Sequence, residues 1–527
     1  MWSIEMVNAA ESTQKTPGRV LSVTESILAM MGLCFVVMLV AIDQTVVGTA
    51  LPTIVSELHG FELYAWVATA YLLTSVITVP IFGRLGDFYG RRRFVLVSIV
   101  LFTLASVFCG MAQSMLQLVL ARALQGIAGG MLVGTAFACV PDLFPDPRVR
   151  LRWQVMLSAS FGIANGIGPF LGGILTEHYG WRSVFYVNLP VGLLSLYFVY
   201  RYLPQIRHFR QTQVRLDYLG AFLLMVGLAC VQLLVELLPH YGGSYLMVLL
   251  GLCSVAAFVL LVSWERRVAE PLLPLVLFSS PAQFSLLVLS AGLGFILFGL
   301  LFYAPLLLQG GYGLRPQTAG LLVTPLVVFI TVGSIINGRM ITRLRYPTLM
   351  LYLGLTLLTI ACLGMVFIQK TDPHWHFVLY ATIAGTGVGF IMPNLTVFAQ
   401  EIVERSMLGI ATAMLQSMRM VGGMLGTAVV GALINYQYGE SIRTQLTTLP
   451  ANVVNALQDP QVLMSASQQS QFLEQAGLDG QMYLGLARDA LAHAVNMGMA
   501  VTLLLIVWCF YWVRKVPPIR FNRQEQS

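Results

Sequence analysis

The sequence predicts an all-α membrane protein with 14 transmembrane helices, arranged as two six-helix halves plus an inserted central pair. Three observations carry that prediction. Of 527 residues, 57% are hydrophobic and only 10% are charged, against roughly a quarter charged in a soluble domain. Fourteen separate runs are apolar over the ~20 residues that a helix needs to cross a ~30 Å hydrocarbon core. The basic residues, finally, gather on one side of those runs. The same composition excludes a disordered chain, a disulfide scaffold and a coiled coil.

Taken in order, the first seven runs are Ile27 to Leu51, Leu63 to Gly83, Phe94 to Ala112, Met115 to Cys139, Arg152 to Thr176, Trp181 to Leu203 and Leu216 to Glu236. The second seven are Ser244 to Trp264, Phe284 to Leu308, Thr318 to Ile341, Pro347 to Gln369, His374 to Phe398, Gly409 to Asn435 and Leu491 to Arg514. None contains lysine. The implied organisation is a tail over 1–26, a first bundle over 27–203, a linker and helices 7 and 8 over 204–264, a second bundle over 265–514, and a tail over 515–527. Met1 to Glu25 is polar and mixed in charge with no small-residue cleavage site before Pro52, so the first helix is expected to be retained.

An even number of crossings puts both termini on one face. With that face cytoplasmic, 23 of the 30 Lys and Arg lie inside and five outside (Arg182, Arg315, Lys370, Arg443, Arg488), leaving Arg122 and Arg419 within helices. The net charge of +7 is thus a topology signal, not a nucleic-acid patch. The seven cysteines all fall in apolar runs without CxxC spacing and are expected to be small buried hydrophobes. Residues 436–490, rich in Gln, Ser, Thr and Asn, are expected to form an exposed outer loop with one amphipathic helix near Gln471 to Ala490.

Sliding the fifth run by 258 residues onto the thirteenth matches Met156 with Met414, Gly168 with Gly426 and Gly173 with Gly431, a faint internal repeat of the kind secondary transporters carry. The loop between the second and third helices reads Gly83-Arg-Leu-Gly-Asp-Phe-Tyr-Gly-Arg-Arg-Arg93. Its glycines allow a tight turn, and Asp87 can accept from arginines or a helix N-terminus, so that Gly83, Gly86, Asp87, Gly90, Arg91 and Arg92 form a candidate cytoplasmic gate.

This segment resembles the signature of the major facilitator superfamily, G-x-L-x-D-x-x-G-R-[RK]-x, and follows it throughout. Arg122-Ala-Leu-Gln-Gly126 looks like the family's R-x-x-Q-G motif. Gly162, Gly166, Gly168, Pro169, Gly172 and Gly173 look like the glycine-proline motif of its antiporters. Asp43-Gln-Thr-Val-Val-Gly-Thr-Ala-Leu-Pro52, Trp181-Arg-Ser-Val-Phe-Tyr-Val-Asn-Leu-Pro190 and the Leu308-Gln309 to Pro325 stretch are similar to the fourteen-helix drug:proton antiporter branch. The resemblance covers residues ~40 to 430.

Charges at depth carry the chemistry. Asp43 lies ~12 Å below the outer end of its helix and Arg122 ~10 Å below the same face, at 1.5 Å per residue. A lone carboxylate there must be protonated, paired or facing water. The two groups either pair and compete around a proton, which makes them the proton-coupling candidates, or form an ion pair that only fixes two helices. The helix-5 glycines serve close packing, and the resemblance adds a hinge that keeps protons from leaking. Gln125, Asn165, Gln309, Asn337 and Arg419 are candidate cavity residues, each with a structural alternative, as is Asn394. Glu236 reads as interfacial, and His374 and His376 as flanks of the Trp375 anchor; no metal site is expected.

There is no Walker A motif, since glutamine (Gln14, Gln369) precedes each of the two lysines, Lys15 and Lys370, that are followed by Ser or Thr, and no DDxxD or HExxH. An enzyme or sensor therefore has little to stand on, and no cofactor is expected beyond a proton gradient. The resemblance implies a multi-pass protein of the bacterial cytoplasmic (inner) membrane. It would export hydrophobic compounds, cationic or neutral, in exchange for protons by alternating access; export of one dedicated metabolite is the alternative. Lipid bilayer, protons and small hydrophobic substrates are the expected partners, with a periplasmic adaptor and outer-membrane channel allowed but not required.

Overall fold

A computed structural model describes residues 23–143, 147–204, 217–241, 244–268, 271–273, 276–341, 344, 346–403, 408–445, 451–458, 460–464, 466–476 and 479–517. Among them there is no strand, and thirteen helices are long and apolar enough to cross a membrane.

The first half comprises α1 (Val23–Leu58), α2 (Tyr64–Tyr89), α3 (Arg91–Gly110), α4 (Met115–Leu143), α5 (Pro147–Tyr179), the short α6 (Arg182–Tyr186) and α7 (Asn188–Tyr202). A hairpin of α8 (Tyr218–Tyr241) and α9 (Tyr245–Glu265) follows. The second half opens with the single turn α10 (Val276–Ser279) and runs through α11 (Pro281–Leu306), α12 (Pro316–Ile341), α13 (Leu349–Phe367), α14 (His374–Ile402), α15 (Leu408–Gln445) and α18 (Gly480–Val513). Between α15 and α18 lie two short helices, α16 (Ala451–Gln458) and α17 (Ala466–Ala476). The predicted run at 152–176 falls on α5, which is not among the thirteen; it carries arginines, Asn165 and the glycine motif.

The internal repeat is visible in the packing. In the first half α1 lies on α5 and α2 on α4; in the second, α11 lies on α15 and α12 on α14. A Cβ on Gly168 would collide with Thr45 of α1, and one on the matched Gly426 would come within 2.5 Å of the Phe295 carbonyl of α11. Without lipid-excluded water to drive association, such small-residue contacts let backbones approach and gain dispersion energy.

The far end of α1 and the start of α18 share one face: His59 meets Gln468 at 3.0 Å, and Gly310, whose Cβ would meet Leu491, adjoins Gln309, which reaches Thr49. Both described chain ends therefore lie on the opposite, terminal face. The outer segment differs from the expected loop. Apolar side chains extend the flanking helices well into it, α15 to Gln445 and α18 back to Gly480, and Leu457, Leu463 and Phe472 are buried. Tyr438 donates to the Leu457 carbonyl at 2.7 Å, so the short helices form a cap over the far face. The cysteines also differ in part: five are buried, but Cys230 is half-buried and Cys253 exposed, on the peripheral α8–α9 hairpin whose outer surface is Leu249, Leu252, Val255 and Val259.

Candidate functional site

Asp43 on α1 is fully buried, and it is held by three side chains from two other helices. Arg122 Nη1 donates to its Oδ2 at 2.6 Å, Gln125 Nε2 to its Oδ1 at 2.7 Å and Asn188 Nδ2 to the same Oδ1 at 2.9 Å. Arg122 and Gln125 are three residues apart on α4 and so share a face; Arg122 Nη1 also donates to Gln125 Oε1 at 2.7 Å. The guanidinium is completed by the Val67 carbonyl at 3.2 Å and by the Tyr71 ring, whose centre lies 4.5 Å from Cζ. Asn188 in turn donates to Ser106 Oγ at 2.9 Å, and Ser106 to the Phe185 carbonyl at 2.9 Å. Six helices of the first half, counting the short α6, thus converge on one carboxylate. Three donors satisfy the desolvated carboxylate, two at Oδ1 and one at Oδ2. Asn188 Oδ1 is an acceptor with no donor.

The glycine motif of α5 has two faces. Gly168 and Gly172 lie against Thr45 and Thr49 of α1, next to this network. Gly162 faces Thr331 of α12, a Cβ on Gly166 would stand 3.0 Å from Val328, and one on Gly173 would stand 2.6 Å from the Pro316 carbonyl. The Pro169 carbonyl occupies the place of a side chain on Gly320. One side of α5 therefore packs within its own half and the other forms the seam with the second half.

A second seam joins α2 and α15, where Thr69 and Thr427 share a hydrogen bond of 3.0 Å. Tyr64 donates to the Phe302 carbonyl at 2.8 Å and stacks on Tyr303 with ring centres 5.6 Å apart. Between the seams, α11 ends in a π-helical turn, Leu307–Gly311, and Gln309 bridges the halves: Nε2 donates to the Thr49 carbonyl at 2.8 Å and Oε1 accepts from Thr53 Oγ1 at 3.3 Å. These contacts lie between mid-depth and the far face.

Asn337 is buried in a reciprocal amide pair with Asn394 (3.0 and 2.8 Å) that ties α12 to α14. Asn165 is half-buried on α5. Arg419 is half-buried on α15 and donates to Gln416. In the arginine loop, Gly90 takes a φ of 91°, a left-handed conformation that ends α2 and starts α3, and it donates to the Gly86 carbonyl at 3.0 Å. Arg92 donates to the Tyr200 carbonyl; Arg91 lies against Gly86. The side chains at Gly83, Asp87 and Glu236 lie outside the described residues. His376 lies tilted against Trp375, with ring centres 4.0 Å apart, and Trp375 is 59% exposed at the start of α14.

The described fold is that of solved transporters. A bacterial homolog of the human lysosomal transporter Spinster, in an inward-facing and unoccupied conformation, superposes with a TM-score of 0.68 over 95% of this chain and 100% of that one, at 16% identity. The family model of the Major Facilitator Superfamily matches residues 33–427. The chain belongs to the major facilitator superfamily. This facilitator is 33% identical to the multidrug transporter protein MdtP of Bacillus subtilis, over 80% of its length and 79% of the relative's. It is 31% identical to multidrug resistance protein 3 of the same organism (84% and 87% covered) and 30% identical to the tetracenomycin C resistance and export protein of Streptomyces glaucescens (77% and 75% covered). As a facilitator it is a multi-pass membrane transporter, and its family and fold are those of transporters rather than enzymes.

Sequence reasoning paired Asp43 with Arg122 by depth alone but assigned no role to Asn188. Its signal was present in the Trp181–Pro190 motif, as the one amide among apolar residues.

Proposed function

We propose that this facilitator crosses the bacterial cytoplasmic membrane fourteen times with its terminal face in the cytoplasm, and exports hydrophobic compounds in exchange for protons. The observation that carries the reading is the Asp43–Arg122 pair, a titratable charge sealed inside the first half yet one helix away from both the hinge glycines and the far-face bridge. From Asp43 to Thr49 is six residues, ~9 Å along α1. Protonating Asp43 removes the attraction that holds Arg122, and a proton placed on Oδ1, which already receives two donors, needs an acceptor there. Turning over the Asn188 amide would supply it and leave Ser106 with a changed partner. α1 is then free to move relative to α4, carrying Thr49 and Thr53 away from Gln309, while α5 pivots on its glycines against α12. Opening of the far face becomes linked to the proton, and the bound compound leaves there.

Relatives named for multidrug transport and resistance support a broad substrate range. The tetracenomycin C exporter among them supports the second reading, a dedicated exporter of one metabolite. The test is dye efflux from proteoliposomes of purified protein with and without an imposed pH gradient. Flux that ignores the gradient, or an Asp43→Asn variant that couples as well as the native protein, would sink the proton role.

A further inference from the structure

Resting on the exporter reading above, we infer that the transported compounds carry an anionic group and that Arg419 is the residue that receives it. Arg419 lies eleven residues from the start of α15, ~16 Å into a ~30 Å core, hence near the midplane. Its direction follows from the helix period of 100° per residue. Thr427 points across the seam to Thr69, and Gln416, eleven residues earlier, falls within ~20° of the same stripe. Arg419 is turned ~80° from that stripe toward α11, where its own carbonyl adjoins Gly294. The guanidinium is therefore directed between the seam and the first helix of the second half, where Thr412, Gln416 and Arg419 are all half-buried.

Its charge has no counterpart among the described residues. Among the described residues Arg419 donates only to the neutral Gln416, and no carboxylate pairs with it. The other two charges described at this depth, Asp43 and Arg122, are paired with each other. An uncompensated arginine in the hydrocarbon region is costly and is retained where it meets an anion. A guanidinium fixed on one side by an amide presents its remaining N–H groups as a fork suited to a carboxylate, sulfonate or phosphate. The ligand class is an amphiphilic organic acid with an apolar body for the helix surfaces and one anionic group for Arg419. The cationic compounds that the family resemblance suggests would meet a like charge there.

Three probes with one body test this: pyrene-1-butyrate, its methyl ester, and pyrene-1-butyl-trimethylammonium, bound to the full chain in nanodiscs and followed by energy transfer from tryptophan. The butyrate should bind native protein about tenfold or more tighter than the ester. Arg419→Gln should bring it down to the level of the ester, and Arg419→Lys should keep part of the preference. Equal binding of the butyrate and the ester by native protein, a comparison that needs no variant to fold, would overturn the inference, as would tighter binding of the ammonium probe or a preference that Arg419→Gln leaves intact. Flux of the same probes in proteoliposomes separates this from the underlying reading. Gradient-driven flux of the ammonium probe, unchanged in Arg419→Gln, would remove the anion site and leave a proton-coupled exporter. Native protein that moves none of the three under a pH gradient would remove the exporter reading and the inference with it.

Discussion

Asn188 donates its amide N–H to Asp43 Oδ1 at 2.9 Å while its own Oδ1 meets no donor. The amide thus holds the ionised carboxylate and, turned over, could receive a hydrogen bond from the protonated one. Asn188→Ala removes one of three donors to the carboxylate together with the amide that could turn over, so gradient-driven efflux is expected to fall roughly tenfold, the equivalent of ~1.4 kcal/mol for a hydrogen bond to a charged group. The measurement is dye efflux from proteoliposomes at matched protein level; an unchanged rate would show Asn188 to be packing only.

The Asp43–Arg122 pair is expected to behave as a unit. Asp43→Asn leaves a buried guanidinium without its counter-charge, a loss of about 3–5 kcal/mol where such pairs are broken. Arg122→Gln leaves the reverse. In the double variant neither charge remains, and the loss should be well below the sum of the two. Thermal melting in one detergent reads this coupling directly, and simple additivity of the two shifts would contradict it. Coupled efflux should be absent in all three.

How much of this was legible beforehand follows from what each residue needs in order to act. Depth requires only counting along a helix, so Asp43 and Arg122 could be placed at one level from the sequence. Contact requires helix rotation, which no run of apolar residues fixes in a bilayer where every face of a helix is free to be greasy. Hence Asn337 could be named as polar and deep, but not recognised as the closed partner of Asn394. The glycines of α5 were legible as close-packing surfaces, but their division between α1 and α12 depends on tertiary partners. The outer segment was misjudged as mostly loop because its polar composition hides the helix ends, with buried apolar residues such as Tyr438 and Leu484 spaced among glutamines and glycines.

The seam at Gly162 offers a test by compensation. A side chain there would collide with the hydroxyl and methyl of Thr331, so Gly162→Ala is expected to separate α5 from α12 and reduce efflux several-fold, with a local overpacking cost of about 1–3 kcal/mol. Truncating the neighbour by Thr331→Ala removes both colliding atoms. The pair Gly162→Ala with Thr331→Ala should recover most of the native rate, measured by dye efflux at matched protein level. A double variant as slow as the single one would mean that the glycine acts through something other than this contact.

Gln309 offers a test of the far-face closure. The amide spans both halves with two hydrogen bonds, to the Thr49 carbonyl and from Thr53 Oγ1, and it projects from a π-helical turn, a distortion often found at functional positions. Each bond is worth ~1 kcal/mol net, and every 1.4 kcal/mol shifts a two-state population tenfold, so Gln309→Ala is expected to raise the fraction open to the far face by roughly 5- to 30-fold. A cysteine at Ala65, which lies beside Gly431 in the α2–α15 seam, would report it through its rate of labelling by an impermeant maleimide from that face. A cysteine at the exposed Glu62 should label at the same rate in both backgrounds and serves as the reference. Faster labelling at residue 65 alone would identify Gln309 as a latch on the closed far face. Unchanged labelling at both positions would leave closure to the Tyr64–Tyr303 stack and the Thr69–Thr427 bond, which do not involve Gln309.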